Sequence, residues 1–161
     1  EKGMGFIGAI QACFSKYFTF SGRARRPEYW WFYLFIFVVT LVASFIDATL
    51  SEMFELGEDG EVLSLVRLIV SLGVIVPFFA VSWRRMHDTG WSGWMTLSPA
   101  FGFLMIILSS LLVESAPGIA PVLLLSGVAI MVIMSIVVLV RSVRRSQAGA
   151  NDFGPEPPIG G

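Results

Sequence analysis

Apolar residues in this chain run in long solid blocks separated by short polar stretches, without alternation at every second position. Four blocks reach the roughly 20 largely apolar residues that a helix needs to cross a bilayer. They are Trp30 to Leu50, Val62 to Trp83, Trp94 to Val113 and Ala120 to Val140. Each is too long for a buried strand, and a barrel would alternate apolar and polar positions instead. Helices also satisfy their own backbone groups in lipid. The pattern predicts an all-α membrane protein with four transmembrane helices in two antiparallel hairpins.

Ahead of the first block, Phe6, Ile10, Cys13, Phe14 and Tyr17 recur at helical spacing. That puts them on one face of a stretch too polar to span, which predicts an interfacial amphipathic helix over residues 6–20. Ser21-Gly22 breaks it. At the other end, residues 149–161 mix Gly, Pro and Asn-Asp and read as an extended tail. The chain thus divides into an amphipathic segment (1–28), a transmembrane domain (29–140) and a basic, Pro/Gly-containing tail (141–161).

Composition agrees with this. Of 161 residues, 55% are hydrophobic and 14% charged, against about a quarter charged in soluble domains. Mean hydropathy is +0.77. A disordered chain, a fibrous repeat and an ordinary water-soluble enzyme are excluded. Cys13 is the only cysteine, which rules out an internal disulfide and a multi-cysteine metal cage. The first 20 residues lack a cleavage-like site, so no cleaved signal is expected.

Net charge is −1, from 11 basic and 12 acidic residues, and suggests no nucleic-acid partner. Its distribution says more. Lys2, Lys16, Arg23, Arg25 and Arg26 precede the first span, Arg84 and Arg85 follow the second, and Arg141, Arg144 and Arg145 follow the fourth. The loop after the first span holds Glu52, Glu55, Glu58, Asp59 and Glu61 and no base, and Glu114 stands in the turn after the third span. Because cytoplasmic loops retain Lys and Arg, both termini are expected on the cytoplasmic side of the membrane. Tyr29, Trp30, Trp31, Trp83, Trp91 and Trp94 would form the aromatic belt on that side.

Asp47 and Arg67 are the ionisable residues well inside apolar stretches. At 1.5 Å per residue they reach similar depth near the outer end of a hairpin, which predicts a structural ion pair. A transport or proton-relay role and separate snorkelling of each side chain are the alternatives. Pro77 and Pro99 would leave the carbonyls of Gly73 and Met95 without their usual helical donors. Thr40, Ser44 and Ala48 make a small-residue ridge suited to close helix contact.

The most distinctive residues form three polar motifs. The first is Phe20-Ser21-Gly22-Arg23-Ala24-Arg25-Arg26-Pro27-Glu28-Tyr29-Trp30. The second is Arg84-Arg85-Met86-His87-Asp88-Thr89-Gly90-Trp91-Ser92-Gly93-Trp94, and the third is Asn151-Asp152-Phe153-Gly154-Pro155. In this order they resemble the bacterial inner-membrane family called domain of unknown function 805, over about Phe14 to Pro158. Trp91 departs from the pattern, where the family often carries a basic residue. The resemblance implies a multi-span protein of the bacterial inner membrane and implies no activity.

Arg23, Arg25, Arg26, Arg84 and Arg85 are expected to gather at one interface among Trp and Tyr, with Glu28, His87 and Asp88. Guanidinium groups bind phosphate bidentately and the inner leaflet is anionic. A site for anionic phospholipid or for a partner is one reading. Ordinary positive-inside topology, with arginines paired internally to Glu28 and Asp88, is the other. Asp88-Thr89-Gly90 reads as a turn with Asp88 as a local acceptor, and Asn151-Asp152 as another. His87 lacks the further ligands a zinc site needs. Serine, cysteine and lysine have no base beside them, so neither metal, cofactor nor enzymatic activity is expected. Four short helices bury little surface. Membrane lipids, a second copy of the chain or another membrane protein are therefore the expected partners. A non-catalytic lipid- or protein-interacting component is the leading reading, and a small transporter or channel subunit the alternative.

Overall fold

The computed structural model describes residues 4–53 and 65–157. Its elements are α1 (Phe6–Ser15), α2 (Arg26–Met53), α3 (Leu65–Asp88), a 3-10 turn (Gly93–Leu97), α4 (Ser98–Leu112) and α5 (Ala120–Val143). Four of these stretches are long and apolar enough to cross a membrane: α2, α3, the 3-10 turn with α4, and α5. Of the acidic loop, Glu55, Glu58, Asp59 and Glu61 lie outside the described residues, and Glu52 is exposed at the end of α2. The chain forms two compact units. Of the described residues, one holds 4–20, 27–53 and 65–81, and the other holds 21–26 and 82–157.

In the first unit α1 lies against α2 through the face its periodicity predicted. Phe6 meets the edge of Trp31 at 5.9 Å, and Phe14 meets Phe32 at 5.6 Å and Phe35 at 5.9 Å. Ala9 and Cys13 are fully buried, while Ile7 points outward. α2 and α3 run antiparallel. Tyr33 meets Phe78, whereas Asp47, further along α2, meets Val66 and Arg67, earlier on α3. Asp47 and Arg67 do come together, by way of the backbone. The carboxylate accepts the amides of Val66 (3.2 Å) and Arg67 (3.1 Å), two of the first-turn donors that a helix cannot use itself. Pro77 sits inside α3, and the carbonyl it leaves open on Gly73 receives the Tyr17 hydroxyl at 3.0 Å.

In the second unit α4 and α5 pack with backbones touching. A Cβ on Gly102 would stand 2.4 Å from the Gly127 carbonyl oxygen, and one on Gly127 would stand 2.7 Å from that of Gly102. Ser109 Oγ donates across the same hairpin to Ala120 O at 2.7 Å. Small residues govern close helix approach in lipid, and here they are these two glycines. In the first unit the hydroxyls of Thr40 and Ser44 bond back to carbonyls of their own helix, and Ala48 is exposed. Pro99 does not kink a continuous third span. It stands in the first turn of α4, where its missing N–H is unneeded, and Ser98 Oγ donates to the Met95 carbonyl at 2.7 Å.

Candidate functional site

All three motifs reach the second unit, where they close the ends of α3 and α5. α3 continues past Trp83 to Asp88, so Arg84, Arg85, His87 and Asp88 are helical rather than loop residues. The stop comes at Gly90, whose φ of 75° suits glycine. Its amide donates to His87 O and that of Trp91 to Met86 O, both at 3.0 Å. That pair of bonds is the Schellman arrangement, which caps the carbonyls a helix end leaves open. Gly93 then lets the Trp83 indole lie against the backbone, since a Cβ there would stand 2.0 Å from Trp83 Nε1.

Asp88 is the centre of the site. Its Oδ1 accepts Arg23 Nε at 3.0 Å and its Oδ2 accepts Arg85 Nη1, with all three side chains shielded from solvent. Both arginines also donate to backbone carbonyls. Arg23 donates through Nη1 to Gly149 O at 2.5 Å and through Nη2 to Gln147 O. Arg85 donates to Ser142 O (3.1 Å), Ala24 O (3.3 Å) and Arg144 O. A guanidinium spreads five N–H donors over a planar fork, where an ammonium has three on one nitrogen, and that suits arginine to both positions. Arg85 thereby also faces carbonyls at the end of α5, the negative end of that helix dipole.

The backbones are tied as well. The Ala24 amide donates to Arg84 O at 3.0 Å, and the Gln147 amide to Asp88 O at 2.9 Å. His87 Nδ1–H donates to Gly22 O at 3.0 Å, and the imidazole stacks on Phe153 at 4.0 Å with the rings 6° from parallel. Phe153 is held there by a tight turn. Asn151 and Gly154 exchange two backbone bonds of 3.0 Å, and Asn151 Oδ1 accepts the Phe153 amide at 3.0 Å. Asn151 Nδ2 then donates to His87 O at 2.9 Å. A groove of about 440 Å³ opens between this turn and Thr89–Trp91. Among the described residues no three His, Cys, Asp or Glu side chains gather where they could hold a metal.

The five arginines expected on one surface are therefore divided. Arg23, Arg84 and Arg85 are buried, Arg23 and Arg85 against Asp88 and backbone carbonyls. Arg25 is half-buried and donates to Pro157 O at 2.6 Å and to Glu156 at 3.4 Å. Arg26 is exposed, with one bond of 3.3 Å to Val143 O. Glu28 is buried in the first unit, where its carbonyl faces Cys13 Sγ at 4.0 Å. Asp88, expected as a local acceptor in a turn, is the last residue of a helix and binds an arginine from another motif. Gln147, Asn151 and Phe153 were not expected as site residues, although the third motif that contains two of them was visible. Arg141 lies 3.7 Å over the Trp91 ring, and Trp94 is 69% exposed.

The family model described as protein of unknown function (DUF805) matches residues 17–155. The inner membrane protein YhaH of Escherichia coli K12 is 38% identical over 94 residues, covering 56% of this chain and 74% of the relative. The inner membrane protein YhaI of the same strain is 35% identical over 94 residues, covering 56% and 72%. No solved structure matches. These relatives and the four spanning-length helices make this a multi-pass protein of the bacterial inner membrane. With the match running from the end of the amphipathic segment through all three motifs, the chain belongs to the DUF805 family.

Proposed function

We propose that the protein is a non-catalytic component of the inner membrane whose motif-bearing end is an interaction surface, facing the cytoplasm, for lipid or for another membrane protein. One observation carries the reading: Asp88 joins Arg23 and Arg85, and these arginines and His87 also bond to backbone of their own unit. That arrangement holds a shape. It leaves Arg26, Arg144 and Arg145 on the outside, together with exposed Trp94. The basic loops support the cytoplasmic side, since Lys and Arg are retained there.

Native mass spectrometry after extraction in mild detergent tests this. The expected spectrum shows phospholipid or a second polypeptide held on most molecules. A spectrum of bare single chains overturns the reading. Orientation is tested with Glu156→Cys in a Cys13→Ala background. A membrane-impermeant maleimide should label it only after the cells are opened, and labelling of intact cells overturns the cytoplasmic placement.

A further inference from the structure

The charges at the end of α5 are unevenly spent. Arg26, Arg144 and Arg145 are all exposed. Arg26 makes one bond, to Val143 O, which puts its guanidinium at the helix end that Arg144 continues. Among the described residues the side chains of Arg144 and Arg145 have neither hydrogen bond nor ion pair. The unit's carboxylates do not neutralise them. Asp88 is enclosed by Arg23 and Arg85, and Glu156 takes Arg25 and the Gly149 amide. Glu114 lies in the turn after α4, at the far end of the hairpin, and Asp152 is exposed on the turn that carries Phe153.

The position of these cations along the helix names their partner. Leu139, Val140 and Val143 are about half exposed, as apolar side chains facing acyl chains are. Arg144 and Arg145 follow at once. A basic pair directly after the last outward apolar turn of a spanning helix lies at headgroup depth, where tryptophan also settles. Trp94 is 69% exposed, and Trp91 is covered by Arg141. The anion present at that depth is the lipid phosphodiester. In a zwitterionic lipid a headgroup ammonium offsets it, and in phosphatidylglycerol nothing does.

We propose that Arg26, Arg144 and Arg145 form a binding site for an anionic phospholipid headgroup at the C-terminal end of α5. The site rests on the reading of this end as an interaction surface, and gives it a ligand. Guanidinium forks grip the phosphate, while the buried Arg23 and Arg85 hold the backbone on which the site stands.

The test offers the full chain, in mild detergent, an equimolar mixture of phosphatidylglycerol and phosphatidylcholine. Bound lipid is counted by native mass spectrometry. Wild type should hold phosphatidylglycerol in preference. Since each basic residue near an anionic surface is worth about fivefold, R26Q/R144Q/R145Q should lower that preference by about tenfold or more. R25Q, whose arginine is engaged with Glu156 and Pro157, should leave it unchanged. A melting temperature equal to wild type shows that the triple variant is folded, and R145Q alone, with a smaller loss, serves if it is not. Equal binding of the two lipids by wild type overturns the proposal. So does an unchanged preference in the folded variants, or displacement of the lipid by millimolar inorganic phosphate, which would make this a site for free anion. If lipid preference is absent while a second polypeptide stays bound, the site fails and the interaction surface stands. Bare chains remove both.

Discussion

The hydroxyl of Tyr17 donates to the carbonyl oxygen of Gly73 at 3.0 Å, the acceptor that Pro77, four residues on, leaves open for lack of an N–H. A proline in α3 and a tyrosine just beyond α1 are thus parts of one bond. Tyr17→Phe should cost about 1 kcal/mol of stability by leaving that carbonyl without its donor. In a Pro77→Ala background the helix supplies its own amide, so the same change should cost close to nothing. A double-mutant cycle by thermal unfolding in detergent reads the difference, and equal losses in both backgrounds would refute the pairing.

Asp88→Asn should destabilise the protein strongly. It removes the carboxylate that Arg23 and Arg85 share, and breaking a buried pair from one side costs about 3–5 kcal/mol. Arg23→Lys should not substitute for arginine, because Asp88, Gly149 and Gln147 are reached from three separate nitrogens of the guanidinium fork, which a single ammonium nitrogen does not reproduce. Unfolding followed by circular dichroism checks both. An Asp88→Asn protein as stable as wild type would show that the cluster does not hold the helix ends.

Phe153→Ala should free the tail. The stacked ring pair is worth about 1 kcal/mol, and it anchors the turn whose Asn151 holds His87 O. Limited proteolysis should cut between Ala148 and Pro157 faster in Phe153→Ala than in wild type, with His87→Phe between them because it keeps a ring and loses the bond to Gly22. Identical cleavage of all three proteins would contradict this.

Gly93→Ala should force the Trp83 indole away from the backbone, at an overpacking cost of about 1–3 kcal/mol. Gly118→Ala, where a Cβ would meet nothing within 4 Å, serves as the control. Tryptophan fluorescence and melting temperature should both shift for the first variant and neither for the second.

Asp47→Ala should cost about 1 kcal/mol through loss of a helix cap, and Asp47→Asn, which keeps an acceptor oxygen, should cost less. Equal losses for the two variants would place the weight on charge instead of on capping.

Much of the architecture was legible along the chain. The four apolar blocks marked the four spanning-length stretches to within a few residues, and the three- and four-residue steps through Phe6, Ile10, Cys13 and Phe14 marked the face of α1 that packs. The misplaced boundary was the end of α3, because Arg84, Arg85, His87 and Asp88 are polar enough to read as loop. Nothing before Gly90 breaks the helix, and polar residues continue it when other segments enclose them.

Span number, helical class and the amphipathic face came from the sequence by itself, since they follow from how each stretch partitions between water and an apolar phase, a property of neighbouring residues. The fate of the charges did not. Arg23 and Arg26 stand three residues apart, yet one is enclosed around Asp88 and the other is exposed beside Val143 O. Whether an arginine is covered depends on carbonyls and carboxylates brought from positions 65 to 126 residues away. Only the tertiary structure decides that, because burying a guanidinium is favourable only when its donors are met all together.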